Sequence, residues 1–312
     1  MNKTAFVFPG QGAQYAGMGR EFYDNFKESK EIFQRADEAL GFDITKLCFE
    51  GPDEDLSITK ITQPALLTVC IAMYEVLKKT QKDTVLMGGL SLGEYSALTA
   101  AGAMDFETAV KLVYKRGSYM QSTVPLGEGG MLALLGCTDE DAIAFCRNIT
   151  GRYGLLEPAN FNCPGQIVAG GKSSAIDNAL DKASQFNIKR AVKLQVSAPF
   201  HTSMLKPAGD RLKEELIKIK FKKPDNKVIS NVDTAYYETN EMIAEKLEKQ
   251  VYNPVRWEAC VRKMIADGVS TFVEIGPGKT LSGFIKKIDK NVKTINIENI
   301  QGLNSYLQFA GV

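Results

Sequence analysis

Apolar and polar positions recur along this chain with two periods, and the periods outline its architecture. Thr4-Ala5-Phe6-Val7-Phe8 is a short apolar run stopped by Pro9-Gly10, the pattern of a strand buried on both faces. Residues 20–40 place Phe22, Phe26, Ile32, Phe33 and Leu40 at helical spacing with charges opposite, and Gly41 marks the end. A more apolar helix is expected over residues 61–79, through Ala65, Leu66, Val69, Ala72, Met73, Val76 and Leu77. It feeds the short strand Val85-Leu86-Met87, the turn Gly88-Gly89-Leu90-Ser91-Leu92-Gly93-Glu94, and a run of helix formers ending near Gly102. A further helix, from about Phe106 to Gln121, carries Arg116.

The texture changes at Val124-Pro125-Leu126-Gly127-Glu128-Gly129-Gly130, a cluster of breakers that reads as a hinge. Beyond it the pattern predicts strand Met131–Leu135, helix Asp139–Asn148, strand Leu155–Asn160, a Cys163-Pro164-Gly165 turn, strand Gln166–Ala169, helix Ser174–Phe186 and strand Ala191–Val196. That order, βαββαβ, is the ferredoxin-like arrangement. The chain returns through Ser197-Ala198-Pro199-Phe200-His201. Then come a helix over 205–219, a strand Lys227–Val232, helices over 241–250 and around Trp257, Val261 and Ile265, strand Thr271–Ile275, a helix from Leu281, and strand Val292–Ile297. Strands alternating with helices on both sides of the insert argue for a largely parallel, helix-covered sheet. The expected fold class is therefore α/β. An α/β-hydrolase-like large subdomain spans residues 1–126 and 198–312, interrupted by a ferredoxin-like subdomain at 127–197.

Composition excludes several classes of function. At 312 residues the chain is long enough to bury a sizeable core. A formal net charge of +1 gives no sign of a nucleic-acid binder. No apolar run was expected to approach the roughly 20 residues that span a bilayer, and Met1-Asn2-Lys3 runs straight into a strand pattern with no basic-then-apolar leader. The six cysteines are scattered without a C-x-x-C pair, which reads as buried free thiols in a reducing cytoplasm rather than a zinc site or disulfide framework. The chain has one histidine, His201, so a multi-histidine metal site is impossible and no metal is expected.

Strand, glycine-flanked serine, then helix is the context of a nucleophile elbow, which holds a hydroxyl out at the positive end of a helix. A serine between glycines also fits a plain turn, so Ser91 needs partners before it means anything. A serine nucleophile needs a base, and His201, in the loop where the chain re-enters the large unit, is the one imidazole available; a buried structural histidine is the competing reading. Asp105, Asp210, Asp233 or a backbone or amide carbonyl are all open as the group that orients it. The loop Pro9-Gly10-Gln11-Gly12-Ala13-Gln14 is either a tight turn or a source of an amide for an oxyanion. It is not a dinucleotide fingerprint, since Tyr15 stands where the third glycine belongs, and Gly276-Pro277-Gly278-Lys279-Thr280 is not a P-loop, since Val273 replaces the first glycine. Arg116 on an amphipathic helix is by itself an ordinary surface arginine.

Several separated motifs together carry more. They are Phe8-Pro9-Gly10-Gln11-Gly12-Ala13-Gln14, Ser91-Leu92-Gly93-Glu94-Tyr95-Ser96-Ala97-Leu98, Arg116-Gly117 with Met120-Gln121, Ala159-Asn160-Phe161-Asn162-Cys163-Pro164-Gly165-Gln166, Pro199-Phe200-His201, Tyr252-Asn253-Pro254-Val255-Arg256-Trp257 and Glu274-Ile275-Gly276-Pro277-Gly278. Over nearly its whole length the chain resembles the malonyl-CoA:acyl carrier protein transacylases, relatives of polyketide synthase acyltransferase domains. The resemblance implies that malonyl passes from malonyl-CoA through a Ser91 ester to the phosphopantetheine thiol of an acyl carrier protein, with no bound cofactor, in a cytoplasmic monomer serving fatty acid synthesis. It implies His201 as base, the main-chain carbonyl of Gln250 as its orienting group, the amides of Gln11 and Leu92 as oxyanion hole, and Arg116 as partner of the malonyl carboxylate. Asn160, Asn162 and Phe200 are implied as pocket residues. The cations at Lys218, Lys220, Lys222, Lys223 and at Lys286, Lys287, Lys290 suit an acidic carrier protein or a merely solvated face. Leu90 departs from the pattern, because many relatives have histidine before the serine; Phe200-His201 resembles the malonyl-selective ones. A polyketide-type acyltransferase and a serine thioesterase or hydrolase are the alternatives.

Overall fold

A computed structural model describes residues 3–80, 86–196 and 198–311; Met1, Asn2, Val85 and Ser197, used in the sequence reading, lie outside the described residues. The first sheet has four parallel strands in the order β2-β1-β7-β8, formed by β1 (Lys3–Phe8), β2 (Leu86–Gly89), β7 (Val269–Ile275) and β8 (Lys293–Ile297). Side chains alternate faces along β1. Phe6 and Phe8 pack with the Thr59–Leu77 helix in one apolar cluster, while Ala5 and Val7 join Trp257, Val261 and Phe272 in a second. The sheet is thus covered on both faces, which is why its central strand is a continuous apolar run.

The second sheet is antiparallel, in the order β4-β5-β3-β6, from β3 (Gly129–Leu135), β4 (Leu156–Cys163), β5 (Gln166–Lys172) and β6 (Arg190–Lys193). Helices Asp139–Tyr153 and Ser173–Lys182 supply the two crossovers and close a core of their own around Leu132, Phe145, Ile149 and Ile176. Element order and strand order are those of the ferredoxin-like arrangement.

Three expectations change. Residues 20–40 are two helices, Arg20–Asn25 and Lys27–Leu40, because Phe26 is extended (φ −130°, ψ 123°) and turns its ring toward Phe22, 5.5 Å between centroids. The strand expected at Lys227–Val232 is reduced to single bridges, Val228 to Met87 and Ile229 to Tyr236. Its continuation is diverted: Ser230 N–H bonds Ala235 O, and the polar groups of Asn231 turn inward to the serine elbow. The Thr59–Leu77 helix, 19 residues long, is long and apolar enough to cross a membrane by length and composition, contrary to expectation; 78% of that stretch is buried inside the fold. The helices Ile44–Glu50 and Ile300–Ala310 also had no counterpart in the pattern reading.

Candidate active site

The elbow forms where β1 and β2 end side by side. Leu90 N–H bonds Phe8 O across them at 3.2 Å, and the helix Leu92–Ala100 starts directly after Ser91. The turn is tight enough to dictate its glycines. A Cβ on Gly89 would lie 2.1 Å from the Gly93 carbonyl carbon, and one on Gly93 would lie 2.0 Å from Phe8 O. Ser91 itself sits at φ 55°, ψ −100°, a conformation that costs a residue with a side chain on the order of 1–3 kcal/mol. Asn231 holds it there: its Oδ1 accepts from Ser91 N–H at 2.7 Å and its Nδ2 donates to Gly89 O at 2.9 Å.

His201 reaches this serine from the other side of the cleft. Its Nε2 is 2.7 Å from Ser91 Oγ and its Nδ1 is 2.7 Å from the main-chain oxygen of Gln250. A carbonyl only accepts, so Nδ1 carries the hydrogen and Nε2 is left to accept the serine proton. Gln250 is the last residue of the helix Glu241–Gln250, so its carbonyl has no partner further along the helix and is available to the imidazole. The three aspartates left open as orienting groups are not bonded to His201: Asp105 caps the Phe106–Thr123 helix, Asp210 pairs with Lys206, and Asp233 pairs with Lys246.

Arg116 is buried rather than a surface residue. Its Nη1 donates to Gln63 Oε1 at 2.8 Å, and its Nη2 donates to Gln250 Oε1 at 2.9 Å and to Ser91 Oγ at 3.1 Å. The guanidinium also lies over the Tyr95 ring, 5.1 Å from its centroid. Gln63, Asn231 and the Gln250 side chain were not anticipated. A lone glutamine amid the apolar positions of the Thr59–Leu77 helix, and an asparagine in what reads as a strand, were the available signals.

Burial, and then the positive charge of Arg116, push the His201 imidazole down to about 3; the bond to Gln250 opposes this. The base is therefore neutral and ready to accept a proton well below its ordinary pH range. Because the chain has one histidine, its imidazole proton resonances report this group alone. We expect no titration of those signals between about pH 5 and 8, where an ordinary histidine changes charge; a midpoint near the usual value would contradict this geometry. The folded value is below the unfolded one, so the unfolded chain binds more protons in between. Stability falls accordingly as pH drops from the unfolded value of 6.5 toward about 3.

These groups line a cavity of about 440 Å³ between the two sheets. Gln11 and Leu92 stand beside Ser91 in its wall, and Leu92, as first residue of its helix, has an amide with no intrahelical acceptor. Asn160, Asn162 and Phe200 line the cavity too, and Asn162 Oδ1 is buried without a hydrogen-bond partner among the described residues. Leu90 is in the same wall, packed against the second core cluster.

Fold and site together define an acyl-transfer enzyme of the α/β class. The acyl transferase domain family matches residues 5–304. The chain belongs to this family, and within it to the malonyl CoA-acyl carrier protein transacylases. It is 45% identical over 308 residues to the malonyl CoA-acyl carrier protein transacylase of Bacillus subtilis, covering 99% of this chain and 97% of that one. The solved transacylase of Clostridium perfringens is 48% identical, with a TM-score of 0.94 over 98% of this chain and 96% of its own. A malonyl-transacylase solved in complex with its type II polyketide acyl carrier protein is 38% identical, with a TM-score of 0.95 over 99% of this chain and 100% of its own.

Proposed function

We propose that this protein transfers malonyl from malonyl-CoA to the phosphopantetheine thiol of an acyl carrier protein, for fatty acid synthesis, through an ester on Ser91. The observation that carries the reading is a buried guanidinium 3.1 Å from the serine hydroxyl. Such a group beside the acyl site favours an acyl chain that brings a carboxylate, and a planar guanidinium can hold it through two bonds.

In this mechanism His201 Nε2 takes the Ser91 proton as Oγ attacks the thioester carbonyl. The amides of Gln11 and Leu92 hold the oxyanion, helped by the positive end of the Leu92–Ala100 helix. The C–S bond then breaks, CoA leaves as the thiol with the proton from His201, and malonyl remains on Oγ. The carrier's thiol gives its proton to His201 and attacks the ester. Ser91 leaves with that proton and the malonyl thioester departs on the carrier. The Gln250 carbonyl keeps the imidazole aimed through both halves. Asn160, Asn162 and Phe200 are assigned to the pocket that receives the acyl group and the pantetheine arm.

The acidic carrier is assigned to the Lys286, Lys287 and Lys290 side. Lys287 contacts Gln166 on the cavity wall at 3.5 Å, and Leu281 and Phe284 of the same helix line the cavity. The 218–223 cluster is less favoured: Lys222 bonds Ala103 O, past the end of the elbow helix remote from Ser91. We take 127–197 as an inserted subdomain, since it supplies all four strands of the second sheet, whose β4 is tied to the large unit by a single bridge from Asn160 to Val255. The enzyme is also assigned to the cytoplasm as a monomer, on the resemblance to its bacterial relatives.

Malonyl-CoA without carrier should leave a malonyl adduct on the intact protein, seen by mass spectrometry on Ser91, and carrier should discharge it with transfer. Fast thiol release independent of carrier would make the protein a hydrolase. Absence of any adduct across a range of pH would make it a binding protein. Assaying carriers of fatty acid and of polyketide synthesis side by side separates the two pathways.

A further inference from the structure

Glu94 is completely buried on the elbow helix, three positions after Ser91, and the reaction as written makes no use of it. Neutral donors surround its carboxylate. Tyr237 O–H donates to Oε1 at 2.5 Å, while Gln250 Nε2 and Asn231 N–H donate to Oε2 at 2.5 Å and 3.1 Å. Burying a carboxylate on neutral partners is costly, and burial pushes its pKa up to about 7 against the pull of those bonds. A completely buried acid at that cost needs a reason.

The reason lies in what a carboxylate forces on an amide. It accepts and cannot donate, so the Gln250 side chain must turn its NH2 toward Glu94. The other hydrogen of that NH2 goes to Ser91 O at 2.9 Å. The amide oxygen is thereby committed to face Arg116 Nη2, at 2.9 Å. Turned over, the amide would set oxygen against oxygen at Glu94 and hydrogen against hydrogen at Arg116. Gln63 Oε1 fixes the other arm of the guanidinium at 2.8 Å. Glu94 does this without itself bonding Arg116, so the face of the guanidinium toward Ser91 stays available to a substrate.

We propose that Glu94 is a positioning residue: by fixing the Gln250 amide it aims Arg116 at the acyl carboxylate and so sets the preference for acyl groups that carry one. The proposal rests on the acyltransferase reading above. It separates two jobs of Gln250. The main-chain carbonyl that holds His201 is anchored by the end of its helix, while the side chain that holds Arg116 depends on Glu94.

The test compares kcat/KM for malonyl-CoA and acetyl-CoA, with carrier present, in the wild type and in Glu94→Ala, Glu94→Met and Glu94→Gln. Methionine fills the space without accepting, in case the cavity left by alanine prevents folding. Glutamine can offer its oxygen to Gln250 and Asn231 and its NH2 to the Tyr237 oxygen, so it should rescue. We expect the malonyl-to-acetyl ratio to fall about tenfold or more in the Ala and Met variants, chiefly through KM for malonyl-CoA, and to stay within about threefold of wild type in the Gln variant. An unchanged ratio in the Ala and Met variants would overturn the proposal. So would equal loss for both substrates, which is what a merely structural role gives, or a Gln variant as impaired as the others. A wild type with no malonyl preference would instead sink the reading of Arg116, which distinguishes the two failures.

Discussion

Replacing Ser91 by alanine should abolish the malonyl adduct and lower transfer by at least about 10³-fold, because among the described residues Ser91 carries the one hydroxyl or thiol bonded to His201. His201 Nε2 and Arg116 Nη2 both bond the hydroxyl, and both are nitrogen groups already held by other partners. Mass spectrometry after incubation with malonyl-CoA checks the adduct, and a carrier-dependent assay checks the rate; a persistent adduct elsewhere would displace Ser91 from its role. A second variant isolates the backbone. Ser91→Gly and Ser91→Ala lose the same hydroxyl and the same bonds, and differ by one Cβ at φ 55°. Glycine tolerates that region, so the glycine variant should be the more stable of the two by about 1 kcal/mol in thermal or denaturant unfolding. Alanine equal to or above glycine would mean that the elbow stores no strain at its serine.

The elbow was legible because its motif, strand then glycine-flanked serine then helix, is written in one short stretch. Gly89 is dictated within that stretch, by the close approach of its backbone to that of Gly93, whereas Gly93 is dictated by Phe8 O on the neighbouring strand. The two sheets were legible for a similar reason, since each strand and crossover helix carries its own period. Gly276-Pro277-Gly278-Lys279-Thr280 shows the value of asking what a motif lacks. The helix start that a phosphate would need is capped by Glu274, whose carboxylate accepts from Leu281 N–H at 3.0 Å and Ser282 N–H at 2.7 Å. What the sequence did not disclose is long-range. Arg116 reads as a surface residue until Gln63, Gln250 and Tyr95, from three other helices, are brought around it. Asn231 reads as part of a strand, whereas it ties Ser91 to Gly89 from 140 residues away. Polar side chains in apolar segments were the one local trace of these contacts. The Gln250 carbonyl that meets His201 was reachable only through the family resemblance, and the contacts of its side chain left no pattern at all.

Replacing Arg116 by alanine should change which acyl group the enzyme prefers. Malonyl loses charge-assisted bonds to a buried guanidinium, and we expect its kcat/KM to fall about 100-fold, roughly 3 kcal/mol. Acetyl makes no such bonds, and its passage into the wild-type site leaves a buried cation unpaired beside the reacting atoms. A second effect acts in the same direction. The charge of Arg116 is one of the causes that push the His201 imidazole down, and the base must become an imidazolium during the attack. In the wild type an arriving malonyl carboxylate cancels that charge and restores basicity, so the correct substrate improves its own catalyst, whereas acetyl does not. Removing the arginine gives acetyl the same relief. Acetyl transfer should therefore hold or rise while malonyl transfer falls, and the ratio of the two should move by at least the malonyl loss. Steady-state assays with both thioesters and a carrier protein read this directly. Equal loss for both would show that Arg116 merely supports the fold around Ser91. A fall in acetyl transfer beyond that of malonyl would show that the contact from Nη2 to Ser91 Oγ serves the attack itself rather than the recognition of a carboxylate.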